Sequence, residues 1–291
     1  MRQITRDGVL TEKVDGQDRM LMRLYGNMPG RMLLKLLTAR WISRFVGALL
    51  STKLSCRLIP SFIRKNNIDM TQYQQETYGS YNEFFCRRIR PDARVIDQTP
   101  EHLISPCDSK LTALPITPDS CFTLKHTPYT LQSMLRSQEL AETFQGGYAL
   151  IFRLTVDDYH RYCYVAQGEK EENVPIPGKL HTVNPIANDF YPIYKENSRE
   201  YSILHTPIFG DILMMEVGAL LVGKIVNHHG KATVSRGQEK GYFQFGGSTV
   251  VLLLKKDAVQ LDADILENSQ KGIETVVKIG EKIGIAGKVN Q

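Results

Sequence analysis

The sequence predicts an α+β protein with a helical N-terminal region on a mostly antiparallel, β-rich domain. Up to about residue 70 the apolar residues recur with helical spacing. Beyond about residue 94 the apolar runs become short and β-branched, and Gly, Pro, Asn and Asp separate them. We therefore place the helical region at 1–70 and the β-rich domain at 71–291.

The N-terminal region carries charge of one sign. No Asp or Glu lies between Arg19 and Ile68, whereas that stretch contains ten Lys and Arg residues. At 40–51 the basic and small residues occupy one helical face, and apolar residues including Trp41 occupy the other. Such a helix either lies in the interface of an anionic membrane or packs its apolar face on the protein core. Nucleic acid is the weaker alternative, because the apolar residues are not scattered as stacking platforms, so we predict a membrane-associating region and no nucleic-acid partner.

Composition limits the kind of protein. The chain has 291 residues, of which 42% are hydrophobic, enough for a substantial core. The five cysteines include no Cys-x-x-Cys pair, which argues against a disulfide framework or a zinc site and favours a reducing compartment. The sequence has no run of about 18 uncharged apolar residues and no apolar core of a signal peptide, so we expect neither a transmembrane helix nor secretion.

Individual elements are predicted where the apolar pattern is strong. One helix is expected at 131–143. Short runs rich in β-branched residues predict strands, and they lie at 148–154, 212–217, 220–226 and 249–254. The last of these runs directly follows Phe-Gly-Gly-Ser at 245–248. A Gly-Gly-Ser turn ahead of a strand is by itself typical of a flexible hairpin.

Three further segments, in order along the chain, change that interpretation. They are Ser-Pro-Cys-Asp-Ser-Lys at 105–110, Asp-Asp-Tyr-His-Arg-Tyr-Cys at 157–163 and a glycine-punctuated apolar stretch at 209–223. With the Gly-Ser-Thr at 247–249, they resemble the phosphatidylserine decarboxylase family, which uses Asp-Gly, Asp-Tyr-His-Arg, Val-Gly-Ala-x-x-Val-Gly and Leu-Gly-Ser-Thr motifs. The Asn-Glu-Phe-Phe at 82–85 and the Val-Asn-Pro at 183–185 match further landmarks of that family.

The resemblance implies self-cleavage between Gly247 and Ser248, which converts Ser248 into a pyruvoyl cofactor and divides the chain into 1–247 and 248–291. The new carbonyl then condenses with the amine of phosphatidylserine, carbon dioxide leaves, and phosphatidylethanolamine is released. An electrophilic carbonyl is needed because decarboxylation leaves a carbanion that no ordinary side chain delocalises. Gly247 suits the first step, since the absence of a Cβ lets the serine hydroxyl approach the carbonyl.

The same resemblance assigns the acid–base residues of the catalytic domain. Asp108 corresponds to the aspartate of the aspartate–histidine pair that activates the serine. His160 corresponds to the histidine that handles substrate and the decarboxylation step. Standing alone, Asp108 would be typical of a turn cap and His160 of a structural histidine. The second family histidine is Cys163 here, and Ser109 and Gly246 replace the glycine of Asp-Gly and the leucine of Leu-Gly-Ser-Thr.

The loss of that histidine leaves the base for self-cleavage open. His181 is the leading replacement because it lies beside the Val-Asn-Pro landmark, and His126 and His205 are weaker candidates. Cys163 is the second alternative, since neighbouring charge can lower a thiol pKa, although a small buried hydrophobe is the commoner role of cysteine. The third is a divergent relative that processes poorly or uses a different amino-acid headgroup.

Substrate and partners follow from the resemblance and the charges. Arg87, Arg88 and Arg161 are candidates for binding the substrate phosphate, with solvated surface charge as the alternative. We predict no metal, because His228-His229 has no carboxylate at ligand spacing. The leading hypothesis is a phosphatidylserine decarboxylase, homodimeric and peripheral to the cytoplasmic face of a bacterial membrane. Its alternatives are a pyruvoyl-dependent decarboxylase of another headgroup or of a soluble amino acid, and a non-enzymatic lipoyl-like β-barrel module.

Overall fold

A computed structural model describes residues 2–12, 24–28, 30, 32, 40–74, 77–124, 127–179, 181–182, 193–219, 224–244 and 248–287. The strands are β1 Arg2–Thr5, β2 Leu10–Glu12, β3 His102–Ile104, β4 Ser109–Pro115, β5 Cys121–Leu124, β6 Thr127–Thr130, β7 Tyr148–Leu154, β8 Arg161–Cys163, β9 Gly168–Lys170, β10 Val174–Ile176, β11 Arg199–Thr206, β12 Gly210–Val217, β13 Ile225–Asn227, β14 Ala232–Val234, β15 Glu239–Phe243, β16 Ser248–Leu254, β17 Val259–Leu261, β18 Glu274–Val277 and β19 Lys282–Ala286. The helices are α1 Arg40–Leu50, α2 Ile59–Asn66, α3 Tyr81–Phe85, α4 Leu131–Leu135, α5 Gln138–Thr143, α6 Ile193–Glu196 and α7 Ala263–Gln270, with 3₁₀ helices at Lys53–Leu58 and Met70–Gln72.

One large sheet organises the chain. Its strands follow the order β14-β9-β11-β12-β16-β7-β4-β18-β1-β2, and β10 adds to β11. Within this sheet the β1–β18 pair is parallel, and the other pairs are antiparallel. The α+β class and the mostly antiparallel sheet are therefore confirmed.

The strand β16 lies in the middle of the sheet, between β12 and β7, and every one of its residues is buried. Side chains alternate between the two faces of a strand. Val250 and Leu252 accordingly belong to one apolar core, and Val251 and Leu253 belong to another on the opposite face. Because both faces are covered, the strand has the continuous apolar sequence from which it was predicted.

Different elements cover the two faces of the large sheet. On the face of Val250, the small sheets β13-β15-β8 and β17-β19-β3 supply core residues such as Tyr162, Phe243 and Ile283. On the other face, the hairpin β5-β6 and helices α4 and α5 supply Phe122 and others. The single helix predicted at 131–143 is two helices, because Arg136 adopts a left-handed backbone with φ 56° and ends α4.

The first twelve residues differ from the helical region predicted at 1–70. β1 pairs in parallel with β18 and antiparallel with β2, and Gly8, at φ 90°, makes the turn between β1 and β2. Arg6 then binds Asp262, with nitrogen and oxygen 2.8 Å apart, at the start of α7. A segment of four residues is too short for its apolar spacing to distinguish a helix from a strand, and the partner strand of β1 is distant in sequence. For this reason the helix prediction was wrong for these residues.

The remaining described part of this region is helical, as predicted. α1, α2 and α3 surround a small apolar core that is separate from the two cores of the large sheet; its buried members are Ile59, Tyr81, Phe84 and Phe85. Leu50 of α1 packs against this core, whereas Phe45 and Leu49 of the same helix are exposed. None of the helices in the described residues has the length and apolar character needed to span a bilayer. The strand predicted at 220–226 appears as β13, and residues 220–223 lie outside the described residues.

A fully buried ion pair joins the small sheet β13-β15-β8 to the large sheet. Lys240 of β15 donates to both carboxylate oxygens of Glu216 of β12, each at 2.8 Å, and also to Asn227 of β13 at 2.9 Å. Neither charged side chain of the pair is exposed to solvent. A buried charge is tolerated only with a partner, so this pair constrains how the two sheets dock.

Removing one partner of this pair should be much more harmful than removing both. Lys240→Met leaves the Glu216 carboxylate buried without its cation, and we expect a loss of about 3–5 kcal/mol in the free energy of unfolding. Lys240→Met combined with Glu216→Leu should recover most of that loss, because no buried charge remains. Urea denaturation measures both values. The control is Lys271→Met, which breaks the exposed pair with Glu267; it should cost less than about 0.5 kcal/mol, and an equal cost for both lysines would contradict the interpretation.

Candidate active site

Two connections join the large sheet to the small sheet β13-β15-β8. Residues 155–160 connect β7 to β8, and residues 244–247 connect β15 to β16. At one end Leu154 pairs with Ser248, and at the other the Phe243 N–H donates to the His160 carbonyl at 2.9 Å. These two contacts tie the ends of the segment 155–160 to β16 and β15; residues 245–247 lie outside the described residues.

Ser248 begins β16 and is completely buried. By strand alternation its side chain faces the same core as its neighbours Leu154 and Val250, which is also the core of Cys163. Its hydroxyl has no hydrogen-bond partner among the described residues. A buried polar group without a partner is uncommon and calls for an explanation. Gly247 lies outside the described residues.

His160 is buried. Its Nδ1 lies 2.9 Å from the Asp158 carbonyl oxygen, and since a carbonyl only accepts, Nδ1 carries the proton. The ring packs on Phe85, with centroids 4.1 Å apart. Nε2 is buried and has no partner among the described residues. Burial, reinforced by the positive charge of Arg87, lowers the pKa of His160 to about 3, so the imidazole is neutral and Nε2 carries a lone pair.

A hydrogen-bonded turn fixes His160. The Asp158 carboxylate accepts from the Thr155 N–H at 2.7 Å and from the Lys110 ammonium at 2.6 Å. Lys110 lies on β4 within the 105–110 motif, so the two motifs are in direct contact. No role could be predicted for Asp158 or Lys110 from the sequence, since each is only one charged residue within a motif.

Asp108 lies at the start of β4 and is almost completely buried. Arg94 donates to it at 2.6 Å, the Ile279 N–H at 2.9 Å and Lys278 at 3.4 Å. Burial alone would raise the pKa of Asp108, but the hydrogen bond from Arg94 and the charges of Lys278 and Arg94 outweigh it, and the pKa is lowered. Asp108 is therefore a carboxylate whose main partner is Arg94, a residue that the sequence did not single out.

Sheet register gives the distance between Asp108 and the serine strand. Lys110 pairs with Arg153, and Arg153 pairs with Thr249. Asp108 and Ser248 thus begin strands that have one strand between them, so their axes are about 10 Å apart. They lie at the same edge of the sheet without being hydrogen-bonded neighbours.

Cys163 lies beside the Asp108 segment. Its N–H donates to the Pro106 carbonyl at 2.9 Å, and its sulfur is 3.9 Å from the Ser105 carbonyl oxygen. The residue is buried, and burial raises the pKa of the thiol to about 12. A thiol that keeps its proton is a poor base.

His181 approaches the serine strand from the opposite side. Its N–H and carbonyl both bond to the side chain of Asn197, which also donates to the Gly218 carbonyl at 2.7 Å. Gly218 follows Val217, the partner of Thr249 on β16. His181 is buried, and burial lowers its pKa.

His205 is not near the site. Its neighbour Leu204 pairs with Ile212, and Ile212 pairs with Leu254 at the far end of β16. Six residues of strand separate that end from Ser248, which is about 20 Å. His126 lies outside the described residues.

The three arginines predicted to bind phosphate have different environments. Arg87 is 1% exposed; its guanidinium stacks on Tyr73 and donates to the Asp157 carbonyl at 3.4 Å. This contact holds the segment 155–160 in place and argues against a role in substrate binding. Arg161 is also largely buried and donates to Glu239 at 2.7 Å and to the Cys86 carbonyl at 2.8 Å.

Arg88 and Arg161 line a polar pocket of about 450 Å³. Gln244, which immediately precedes 245–247, lies in the same wall. The other lining residues are Gln74, Ser80, Asn82, Glu83, Cys86 and Tyr242. The pocket therefore places positive charge next to the segment that ends at Ser248. Within the described residues there is no group of three His, Cys, Asp or Glu side chains suited to a metal ion.

Comparisons with known proteins give consistent results. A family model described as phosphatidylserine decarboxylase matches residues 81–285. The phosphatidylserine decarboxylase proenzyme 2 of Clostridium acetobutylicum is 47% identical over 262 residues, which cover 90% of each chain. The phosphatidylserine decarboxylase proenzyme of Ruminiclostridium cellulolyticum is 40% identical over 279 residues, covering 94% of this chain and 93% of the relative. That of Clostridium novyi is 40% identical over 279 residues, covering 94% of each.

The buried, neutral state of His160 predicts a specific pH dependence of stability. The pKa of His160 in the folded protein is about 3, below the ordinary value of 6.5. At a pH below 6.5 the unfolded chain therefore binds the proton and the folded chain does not, so the free energy of unfolding decreases as the pH is lowered. In a Ser248→Ala background, the free energy of unfolding should fall by about 2 kcal/mol more between neutral pH and about pH 5 than it does after His160→Gln.

Urea denaturation at the two pH values measures this difference. The control is His205→Gln, because hydrogen bonds to Glu171 and Asp211 raise the pKa of His205. Removing His205 should therefore change the pH dependence with the opposite sign. Identical pH dependence with and without His160 would contradict its buried neutral state.

Proposed function

The chain belongs to the phosphatidylserine decarboxylase family, and we propose that it is a self-processing, pyruvoyl-dependent carboxy-lyase that converts phosphatidylserine into phosphatidylethanolamine. The observation that carries the proposal is the state of Ser248. Its hydroxyl is buried and has no partner among the described residues, and Ser248 begins the central strand β16. Buried hydroxyls without a partner are uncommon, and here one coincides with the serine of the Gly-Ser-Thr motif.

The pyruvoyl group made from Ser248 would supply the electron sink that decarboxylation of an amino acid requires. The surroundings of Ser248 fit such a group, because the core that it faces is apolar and closed to water. The nucleophile would be Ser248 and the bond cleaved would be the one to Gly247. Asp108, held as a carboxylate by Arg94, lies at the same edge of the sheet as Ser248.

The fold supports two pieces that stay together after cleavage. Residues beyond the cut contribute β16 between β12 and β7, β18 between β4 and β1, and β19 between β17 and β3. Of the strands in the short piece, β16 and β18 are therefore paired on both sides with the long piece, whereas β19 pairs with the long piece only through β3. Backbone hydrogen bonds and apolar cores, rather than a covalent link, would hold the cleaved subunits together.

The polar pocket is our proposal for the headgroup. Arg88 is exposed at its mouth and Arg161 lies in its wall, so a phosphate there would meet two guanidinium groups. Arg87 is withdrawn from the predicted trio, because it is buried against the segment 155–160. Cys163 is interpreted as part of the surrounding structure, since it keeps its proton. His181, whose backbone is held by Asn197, stays a candidate for the base.

The proposed location is peripheral, on the cytoplasmic face of a membrane. Exposed apolar side chains are concentrated in and near α1 and the 3₁₀ helix that follows: Met28, Met32, Phe45, Leu49, Leu54 and Leu58. Lys53 and Arg57 are exposed on the same 3₁₀ helix, and Arg64 and Lys65 on α2. Apolar contact combined with positive charge is the pattern of proteins that bind anionic lipid surfaces. A homodimer, which the family resemblance implies, stays a prediction.

Self-cleavage tests the proposed function directly. The purified wild-type protein should consist of two pieces, 1–247 and 248–291, and should release carbon dioxide from phosphatidylserine. Ser248→Ala should remain a single chain of full mass without activity, as measured by intact-mass analysis. The matched control is Ser202→Ala, another buried serine whose hydroxyl has no partner among the described residues; it should be cut like wild type. A wild-type protein with the single mass of the uncut chain would contradict the proposal.

Membrane binding tests the proposed location. The double variant Leu54→Ser with Leu58→Ser should weaken binding to vesicles of phosphatidylglycerol and phosphatidylcholine by about 2 kcal/mol, or about thirtyfold, because two leucines no longer enter the interface. Co-sedimentation with the vesicles measures the partition coefficient. Val174→Ser with Ile285→Ser removes two exposed apolar residues from strands β10 and β19 and is the matched control. Equal losses from the two pairs would argue against an N-terminal membrane surface.

A further inference from the structure

Resting on the proposed self-cleavage, we propose that residues 2–12, the N-terminal arm, form the surface by which the long piece retains the short piece after the cut. The arm consists of β1, β2 and the turn between them. It belongs to the long piece by sequence, yet it docks on residues beyond position 248. Three observations support the proposal.

The first observation is the backbone pairing of β18, a strand of the short piece. One edge of β18 pairs with β4, and the other edge pairs in parallel with β1, where Ile4 is the partner of Thr275. Without the arm, β18 would have an open edge with a row of unpaired N–H and C=O groups. The arm therefore encloses β18 between two strands of the long piece.

The second observation is the charge on the arm. The Arg6 guanidinium binds Asp262 at 2.8 Å and Asp264 at 2.7 Å. It also donates to the Lys282 carbonyl at 2.8 Å, and the Glu281 carboxylate is 3.7 Å away. All of these partners belong to the short piece. The Arg6 side chain is only 25% exposed, so these contacts are less weakened by water than those of a fully exposed pair.

The third observation is that the arm joins separate parts of the short piece. Asp262 and Asp264 lie at the start of α7, whereas Glu281 and Lys282 lie at the start of β19. β19 belongs to the small sheet β17-β19-β3, and β18 belongs to the large sheet. The arm therefore contacts a helix and strands of two sheets, all from the short piece, at the same time.

The cut changes what these contacts must achieve. In the uncut chain, the peptide bond ahead of Ser248 keeps the two parts at a high effective concentration. After cleavage the pieces are separate molecules, so a weaker contact lowers the affinity between them and dilution favours their dissociation. The contacts of the arm act against this dissociation.

The arm is also remote from the bond that is cut. The strands β18, β4 and β7 lie between β1 and β16, which separates the axes of β1 and β16 by about 19 Å. Changes in the arm should therefore alter the retention of the short piece and leave the rate of self-cleavage unchanged.

The experiment measures retention and self-cleavage separately. Arg6→Gln removes the positive charge that faces the short piece, so the dissociation constant of the two pieces should rise by about tenfold. Size-exclusion chromatography of the cleaved protein, diluted in a fixed, sub-denaturing concentration of urea, measures how much short piece elutes with the long piece. Arg6→Lys keeps the charge but loses the planar fork, and its dissociation constant should lie between those of wild type and Arg6→Gln. Intact mass of newly translated chains measures self-cleavage, which should proceed at the wild-type rate in both variants.

The matched control is Arg90→Gln, which breaks an ion pair with Asp92 inside the long piece and should retain the short piece like wild type. Arg6→Gln is also made in the uncut Ser248→Ala chain, where dilution should release nothing because the two parts stay linked. If Arg6→Gln does not fold, Gly8→Val takes its place. A β-branched residue is strained at the φ of 90° found at Gly8, so this substitution disturbs the turn of the arm without changing its charge.

The short piece should dissociate from cleaved Arg6→Gln on dilution while self-cleavage keeps its wild-type rate, and this result supports the proposal. Wild-type retention in a folded arm variant would overturn it. An equal loss from Arg90→Gln, or slower self-cleavage of Arg6→Gln, would also overturn it, since either result would indicate general destabilisation. An uncut wild-type chain would contradict the proposed function and this inference with it; intact mass reveals that failure before any dilution, so the two failures are distinguishable.

Discussion

The pairing of β16 on both edges is the constraint on which the rest of the site depends. β7 fixes one edge and β12 fixes the other, so the register of Ser248 is determined by its neighbours along the whole strand. A slip by one residue would turn Ser248 to the opposite core and place Thr249 in its position. The apolar residues on both faces of β16 resist that slip, because each face belongs to a separate filled core.

Charge is placed around this strand with a partner for almost every buried group. Lys110 binds Asp158, Arg94 binds Asp108, Arg153 binds Glu274 and Lys240 binds Glu216. Buried charges are costly without partners, and these pairs link β4, β7, β12 and β15 into a fixed frame. The Ser248 hydroxyl is among the buried polar atoms without a partner in the described residues. The frame keeps Ser248 away from water, and electrostatic interactions at a reacting group are stronger in such a place.

The sequence predicted the parts of this arrangement that depend on local pattern. Continuous apolar runs predicted β7 and β16 nearly residue for residue. The common site of Asp108, His160 and Ser248, predicted from ordered motifs, stays a prediction. The partners of these residues were not predictable, because Arg94–Asp108 and Lys110–Asp158 join segments by tertiary contact rather than by spacing. The same reason hid β1, whose partner β18 lies near the other end of the chain. Arg87 was misjudged because an arginine buried among carbonyls and rings resembles a surface arginine in sequence.

The distribution of strands between the two pieces also governs how such a protein can be made. A cut ahead of Ser248 would assign β16, a middle strand of the large sheet, to the shorter piece. The same piece would also contain β18 of the large sheet and β17 and β19 of a small sheet. Once unfolded, the pieces would have to find each other by diffusion, and neither contains the residues to complete its own cores. The uncut chain does not face this encounter, since its ends are already tethered. Folding must therefore come before cleavage. The mature enzyme would not refold after heat denaturation, whereas the uncut precursor would.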